Sequence, residues 1–265
     1  MAEIKEVNDS SLGKKTFYEP YYNPNKLFPI SRKTQRDELS ISSTPPFFGY
    51  DSWNHYEVSW LNEKGKPIFA LAEIIYSCHS PFLIESKSLK LYFNSFNNTK
   101  FSSLQAVQRQ IIYDIEEKIG ARVAVQINPF RREETLYFEG KCLDELDVDC
   151  SIYTVTPSLL TVEKTQVNEK LYSNLLKSNC LVTNQPDWAS VQIIYSGKKI
   201  NHAGLLRYLV SFRNHNEFAE HCIERIFMDV MRFCQPEELT VFGRYSRRGG
   251  LAVNPFRTTK KELKL

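Results

Sequence analysis

The sequence predicts an α+β protein built as two similar halves, each with antiparallel sheet covered by a pair of helices. Three observations carry this reading. Two separate stretches place apolar residues at the four-residue spacing of a helix. Alternating, β-branched and aromatic runs flank each of them. Short landmarks recur in the same order in the two halves, which suggests a duplication.

The elements follow in chain order. The first 44 residues are rich in Asn, Ser, Pro and Tyr with little periodicity, so 1–44 is read as an arm lying on a folded body. A first module follows over 45–149. His55 to Trp60 and Ile68 to Ile75 have strand character, and two helices come next. The second helix begins at Ser102, with Gln105 as the partner in a capping box, and carries the stripe Val107, Ile111, Ile115 and Ile119. Gly120 ends it, and Ala121 to Ile127 returns as a strand. Gly140 to Asp149 is acidic and unpatterned, which places the boundary near residue 150. A second module covers 150–265. Val191 to Tyr195 reads as a strand and Leu205 to Phe212 as a helix. Phe218, Cys222, Ile226 and Val230 stripe a longer helix, and Glu238 to Tyr245 is a returning strand. The matched landmarks are Ser95-Phe96-Asn97-Asn98 with Ser211-Phe212-Arg213-Asn214, and Ile127 to Arg131 with Val253 to Arg257.

Composition narrows the function classes. With 265 residues, 42% hydrophobic and 13% aromatic, the chain has enough apolar surface for real cores. No run approaches the roughly 18 apolar residues of a membrane span, and the polar start lacks the apolar core of a secretory signal, so a cytoplasmic protein is expected. Six cysteines without a C-x-x-C pair are expected to be reduced. A net charge of +3, with basic residues interleaved among 31 acidic ones, argues against direct nucleic-acid binding. There is no G-x-G-x-x-G and no P-loop, so a dinucleotide must bind outside a Rossmann crevice.

Four segments carry chemistry. Cys180 lies in Ser178-Asn179-Cys180-Leu181-Val182-Thr183-Asn184-Gln185-Pro186-Asp187-Trp188, where a thiolate nucleophile meets a carboxyl group seven residues on across a Pro turn. The plain alternative is an inert core cysteine and a turn aspartate. Glu85-Ser86-Lys87-Ser88-Leu89-Lys90 opens a helix whose free backbone N–H groups and nearby ammonium groups suit a phosphate, although a capped, solvated helix start is the more ordinary reading of these residues. Arg247-Arg248-Gly249-Gly250 joins guanidinium groups to glycines that admit a ligand to the backbone, or is a hairpin with a basic tip. His215 to His221 starts the long helix of the second half. Its histidines are six apart on different faces, so its acids are read as dipole partners and no metal is expected.

Together these segments resemble the 7-cyano-7-deazaguanine reductases of queuosine biosynthesis, in their long two-module form. Glu85 to Lys90 is similar to that family's signature, Ser178 to Trp188 to its nucleophile segment, and His215 to Arg225 and Tyr245 to Arg257 to its later blocks. The likeness spans about Phe28 to Arg257. It implies tandem tunnelling-fold modules and a homodimer or larger homo-oligomer. It also implies reduction of a nitrile to an aminomethyl group with NADPH. By this likeness Cys180 is the nucleophile that forms a thioimide, and Asp187 is the proton donor. Ile84, Glu85 and Ser86, with Ala219 and Glu220, bind the purine-like substrate. Ser86, Lys87, Arg248 and Gly249 hold NADPH, with Lys90 and Arg247 as further phosphate contacts. Where the family places a His before the substrate-binding Glu, this chain has Ala219, which implies impaired turnover with thioimide formation retained. His221 lies roughly 200° around the helix and does not replace it. Two other readings remain: another purine- or pterin-handling enzyme of the same fold, of the cyclohydrolase type, and a noncatalytic binding protein of tRNA modification.

Overall fold

Strand β2 (Phe48–Leu61) folds back antiparallel on β3 (Pro67–Ser77), from Tyr50 opposite Ser77 to Leu61 opposite Pro67, and β5 (Val123–Asn128) extends β3 on its other side. The computed structural model describes residues 19–128 and 138–261, in two units. Unit 1 takes 19–38, 50–128 and 247–253; unit 2 takes 39–49, 138–246 and 254–261. The acidic stretch at the expected boundary lies in unit 2, where Lys141 and Cys142 form the short strand β6.

In unit 1 the helices α2 (Ser86–Asn94) and α3 (Leu104–Ile119) follow the short strand β4 (Phe82–Ile84). The stripe Val107, Ile111, Ile115 and Ile119 is at most 1% exposed and joins Trp53, Val58, Ile74 and Phe96 in the core. Each such side chain contributes about 1.5–3 kcal/mol by leaving water. The N-cap of α3 is Ser103, whose Oγ accepts from Ala106 N–H at 3.1 Å, so the box expected from Ser102 and Gln105 does not form. The chain enters one residue later, and the N3 position falls on Ala106, which has nothing to return to the cap. Gly120 closes the helix in the left-handed region, as expected.

Of the arm, residues 19–38 belong to unit 1 and 39–44 to unit 2. Tyr22 N–H donates to Thr99 Oγ1 at 2.8 Å, and strand β1 (Pro29–Ser31) pairs antiparallel with β4, Pro29 opposite Ile84. The short helix α1 (Lys33–Glu38) follows, and Arg32 pairs with Asp51 in the interior.

Unit 2 runs β7 (Val162–Asn179), β8 (Pro186–Ile200), α4 (His202–Val210), a 3-10 turn Ser211–Asn214, α5 (Ala219–Cys234), β9 (Glu238–Tyr245) and β10 (Leu251–Thr258), whose first three residues belong to unit 1. The strands lie in the order β10-β9-β8-β7-β6, antiparallel except for β6 on β7. Cys222, Ile226 and Val230 of the expected α5 stripe are all 0% exposed, and the helix packs on β9 and β8. It starts at Ala219, not at His215; residues 215–217 precede it as extended chain.

The duplication is visible as a repeated clasp. In unit 1, Tyr92 OH donates to Asp114 Oδ2 at 2.6 Å, and Ser95 Oγ donates to Tyr92 O at 2.6 Å. In unit 2, Tyr208 OH donates to Asp229 Oδ2 at 2.7 Å, and Ser211 Oγ donates to Tyr208 O at 2.6 Å. The rings Tyr92–Phe96 and Tyr208–Phe212 meet edge to face at 5.0 and 5.3 Å. The Ser95 and Ser211 landmarks are therefore equivalent. The second landmark pair is not: Ile127 and Asn128 end the strand directly after the long helix, whereas Val253 to Arg257 lies one strand later, in β10. Pro129, Phe130 and Arg131 fall outside the described residues.

Candidate active site

In unit 2, Cys180 and Asp187 stand on the hairpin between β7 and β8. Ser178 faces Asp187 and Asn179 faces Pro186 across the ladder, and Cys180 N–H donates to Gln185 O at 2.8 Å. Pro186 is thus the first residue of a strand, where no ladder donor is demanded of it. The turn is Leu181 to Asn184, with Asn184 in the left-handed region (φ 54°) and its N–H donating to Cys180 O at 3.1 Å. Alternation along paired strands puts Cys180 on the same face as Ser178, and hence on the same face as Asp187. The two are diagonal neighbours, a separation of about 7–8 Å between backbone positions. That gap suits a small group held between a sulfur and a carboxyl.

The hairpin is strapped by residues 213–217. Asn179 N–H donates to His215 O at 2.8 Å, and Glu217 N–H donates to Asn179 O at 3.1 Å. Asn216 Nδ2 donates to Cys180 O at 3.3 Å and to Asn184 Oδ1 at 3.0 Å. Lys177 Nζ donates to Asn179 Oδ1 and Arg213 O, both at 2.6 Å. Glu217 anchors the strap. It is 3% exposed and accepts from His215 Nε2 at 2.9 Å and from Arg225 Nη2 at 2.7 Å. Burial alone would raise its pKa, but the hydrogen bonds and charge of His215 and Arg225 outweigh it and hold the carboxyl below its ordinary value. Glu217 is therefore an ion-pair anchor outside the helix rather than a partner of its dipole.

The strap delivers the chain to α5, whose first two residues are Ala219, half-buried, and Glu220, 3% exposed. His221 is fully buried. Ser178 Oγ on the hairpin, Thr183 Oγ1 in its turn and Tyr245 OH on β9 are buried, and Ser178 and Tyr245 adjoin the Cys222 thiol. Cys222, also fully buried, has its thiol pushed up to about 12, first by burial and then by the charge of Glu217.

In unit 1, Ile84 is buried in β4, and Glu85 is the N-cap of α2. Both carboxylate oxygens are engaged: Oε1 accepts from Lys87 N–H and Oε2 from Ser88 N–H, each at 2.7 Å. Two of the backbone donors expected to be free for a phosphate are thus taken by the side chain before them. The cap is also buried, at 0% exposure, rather than solvated, and burial raises its pKa while the two N–H groups pull it back. The arm holds it in place, with Glu85 N–H donating to Phe28 O at 3.0 Å and Phe28 N–H donating to Ser88 Oγ at 3.0 Å. Ser86 is exposed, and Lys87 and Lys90 are half-buried.

Arg247 to Leu251 form a tight hairpin within the same unit. Arg248 and Leu251 exchange N–H···O bonds of 2.8 and 3.1 Å around Gly249 (φ 56°) and Gly250 (φ 83°), the two positive φ values of a type I′ turn. A Cβ on Gly249 would lie 2.6 Å from Lys90 Nζ, so that ammonium rests against the turn. The Arg247 guanidinium sits 4.9 Å from the centre of the Tyr56 ring. Arg247, Arg248 and Gly249 are exposed. Ser86, Lys87, Lys90, Arg247 and Arg248 thus supply donors and positive charge suited to phosphate groups, and Gly249 leaves the backbone open to approach.

Comparison with known proteins places the chain. A model of the N-terminal part of nitrile reductases of the 7-cyano-7-deazaguanine reductase type matches residues 18–127, and a QueF-like protein model matches residues 186–264. A relative from Legionella pneumophila (strain Lens), named NADPH-dependent 7-cyano-7-deazaguanine reductase, is 59% identical over 96% of this chain and 91% of its own length. The chain belongs to the 7-cyano-7-deazaguanine reductase family. Relatives of the same name from Polaromonas sp. (strain JS666) and Ralstonia nicotianae (strain GMI1000) are 55% and 53% identical, each over 94% of this chain and 93% and 92% of theirs. The first matched stretch contains the candidate Glu85 block, and the second the candidates Asp187, Ala219, Glu220 and Arg248. Among the described residues no helix is long and apolar enough to cross a membrane.

Proposed function

We propose that this reductase converts the nitrile of 7-cyano-7-deazaguanine to the amine of 7-aminomethyl-7-deazaguanine, in the queuosine modification of tRNA. The observation that carries the reading is the Cys180–Asp187 hairpin, which sets a thiol and a carboxyl diagonally on one face in a chain of this family.

A nitrile carbon is electrophilic but resists direct hydride attack. Cys180 adds to it as the thiolate, forming a C–S bond, while the carboxyl of Asp187 gives its proton to the nitrile nitrogen. The product is a covalent thioimide. Asp187 must therefore be protonated before the addition and ends it as carboxylate. When bound, NADPH would supply two hydrides in two successive visits; with one further proton taken up at the substrate nitrogen these complete the amine, the C–S bond breaks to return the Cys180 thiolate, and a second proton from solvent restores the Asp187 carboxyl. Ser86, Lys87, Arg248 and Gly249 would hold the dinucleotide, with Lys90 and Arg247 as further phosphate contacts. Ile84, Glu85, Ser86 and Glu220 recognise the base, since a carboxylate accepts paired hydrogen bonds from the N–H edge of a guanine-like ring. The repeated helix-pair modules agree with tandem tunnelling-fold units, which associate as homodimers or larger assemblies.

Ala219 stands where the family places a His. A methyl group neither orders the substrate nor moves a proton. The thioimide forms but its reduction is slow, and Ala219→His speeds turnover.

The test is intact mass after incubation with 7-cyano-7-deazaguanine in the absence of NADPH. A mass gain equal to the whole substrate on the parent, and none on Cys180→Ala, is expected. Binding of the substrate with no gain on either protein removes the covalent mechanism, and no binding at all removes the reductase reading.

A further inference from the structure

The chain holds a histidine that the mechanism above does not use. His55 is 3% exposed, stacks on Phe93 with ring centres 4.3 Å apart, and places Nδ1 3.0 Å from Gly250 O. A carbonyl oxygen only accepts, so Nδ1 carries the proton and Nε2 is a bare lone pair, buried without a partner among the described residues. An imidazole left with one nitrogen unsatisfied is a cost that a leucine in the same place would avoid. The remaining nitrogen is spent entirely on the Gly250 carbonyl.

The backbone around His55 is shaped for the same contact. The β2–β3 register slips between His55 and Val58, leaving Tyr56 and Glu57 as a bulge. A bulge frees a backbone donor from the ladder and re-aims the strand. Here the freed Tyr56 N–H donates to Gly250 O at 2.9 Å, the same oxygen that His55 holds. Gly250 is fitted against the bulge, since a Cβ on it would lie 2.6 Å from the Glu57 carboxyl carbon. Arg247 covers the Tyr56 ring from the other end of the turn. One carbonyl, held by two donors from one bulge, thus fixes the turn that presents Arg248 and Gly249.

The geometry points to His55 as a positioning residue for NADPH: its Nδ1–H locks Gly250, and through it the orientation of the Arg248–Gly249 turn toward the dinucleotide. This rests on the proposed assignment of that turn to the cofactor. His55 touches no reacting atom, so its loss acts on cofactor affinity and not on the chemical step. Burial is the main reason its pKa falls, to about 4, and the nearby Lys90 charge adds to this, which keeps the single-proton form in place.

The experiment compares His55→Leu, which fills the space without a donor, and His55→Asn, whose amide N–H replaces Nδ1–H, with Arg248→Ala as the reference for the turn. NADPH binding is read by fluorescence titration, and KM and kcat by NADPH oxidation with 7-cyano-7-deazaguanine. One neutral hydrogen bond predicts a rise of about 3- to 10-fold in Kd and KM for NADPH in His55→Leu, with kcat at saturating NADPH kept. His55→Asn restores most of the affinity. Parental NADPH binding in His55→Leu, with Arg248→Ala weakened, overturns the role of His55 alone. Parental binding in both overturns the assignment of the turn, and the proposal with it. An equal rise in KM for both substrates, not relieved in His55→Asn, shows general damage to the fold and also overturns it.

Discussion

Replacing Glu217 with Gln puts the strap on the Cys180 hairpin to a quantitative test. The substitution keeps the shape but turns an acceptor of charged hydrogen bonds into a neutral amide facing Arg225. Removing one partner of a buried ion pair costs about 3–5 kcal/mol. Arg225 is 21% exposed, so water recovers part of that, and the expected cost is about 2–3 kcal/mol. In a protein of this size each kcal/mol lowers the melting temperature by about 2–4 °C, which gives a fall of about 5–10 °C. Since Glu217 N–H holds Asn179 O directly ahead of Cys180, thioimide formation slows in the same variant at temperatures well below melting. The pH dependence has a definite sign. The folded carboxyl is held below its ordinary value, so its stabilisation is present above the unfolded pKa of about 4.3 and is lost as the pH falls through the folded value. Glu217→Gln should therefore lose most of its stability deficit, relative to the parent, in strongly acidic solution. The measurements are differential scanning calorimetry across pH and adduct mass against time. A melting shift below about 2 °C, or an Arg225→Met change that adds in full to Glu217→Gln, would refute the reasoning.

Asp187→Asn keeps the hairpin but removes the transferable proton, and thioimide formation followed by mass should slow by about 100- to 10,000-fold with substrate affinity kept. Tyr92→Phe and Tyr208→Phe each delete a hydroxyl bonded to a buried carboxylate. Chemical denaturation should show similar losses of about 1.5–3 kcal/mol for the two, and a large difference would count against the equivalence of the clasps. Gly250→Ala forces a Cβ into a backbone with φ 83° and against Glu57, costing about 1–3 kcal/mol; weakened NADPH binding with unimpaired adduct formation is the expected outcome.

Much of this architecture was legible because it follows one period. The stripe from Val107 to Ile119 and the strand Glu238–Tyr245 could be read directly from the spacing of apolar residues. Strand β7 could not. Its buried positions include Ser173 and Ser178, and a register shift between Ser173 and Leu176 breaks the alternation that would announce a strand. With β7 unread, Cys180 looked like a residue ahead of one strand, and its cross-strand relation to Asp187 had no basis beyond a proline. The candidate site residues stand out as motifs, but the residues that support them do not. Glu217, His215 and Arg225 meet through a loop that enters the helix four residues later than the charges suggest. His55 acts through a carbonyl 195 residues away, and no local pattern encodes such a contact.

The division of the chain between the two units bears on how the protein is made. The last segment of unit 1 is 247–253, and unit 2 draws on 39–49 near the start as well as 254–261 near the end. The unit whose strands leave the ribosome first is therefore completed only after residue 253 has been synthesised, when most of unit 2 has already been made. Until then the Tyr56 and His55 donors lack their carbonyl. Such long-range closures fold slowly and leave partly built sheet exposed on the way. A nascent chain stalled before residue 247 carries the Cys180 hairpin and the clasps of both halves, while unit 1 still lacks its segment 247–253 and with it the Arg247–Leu251 hairpin.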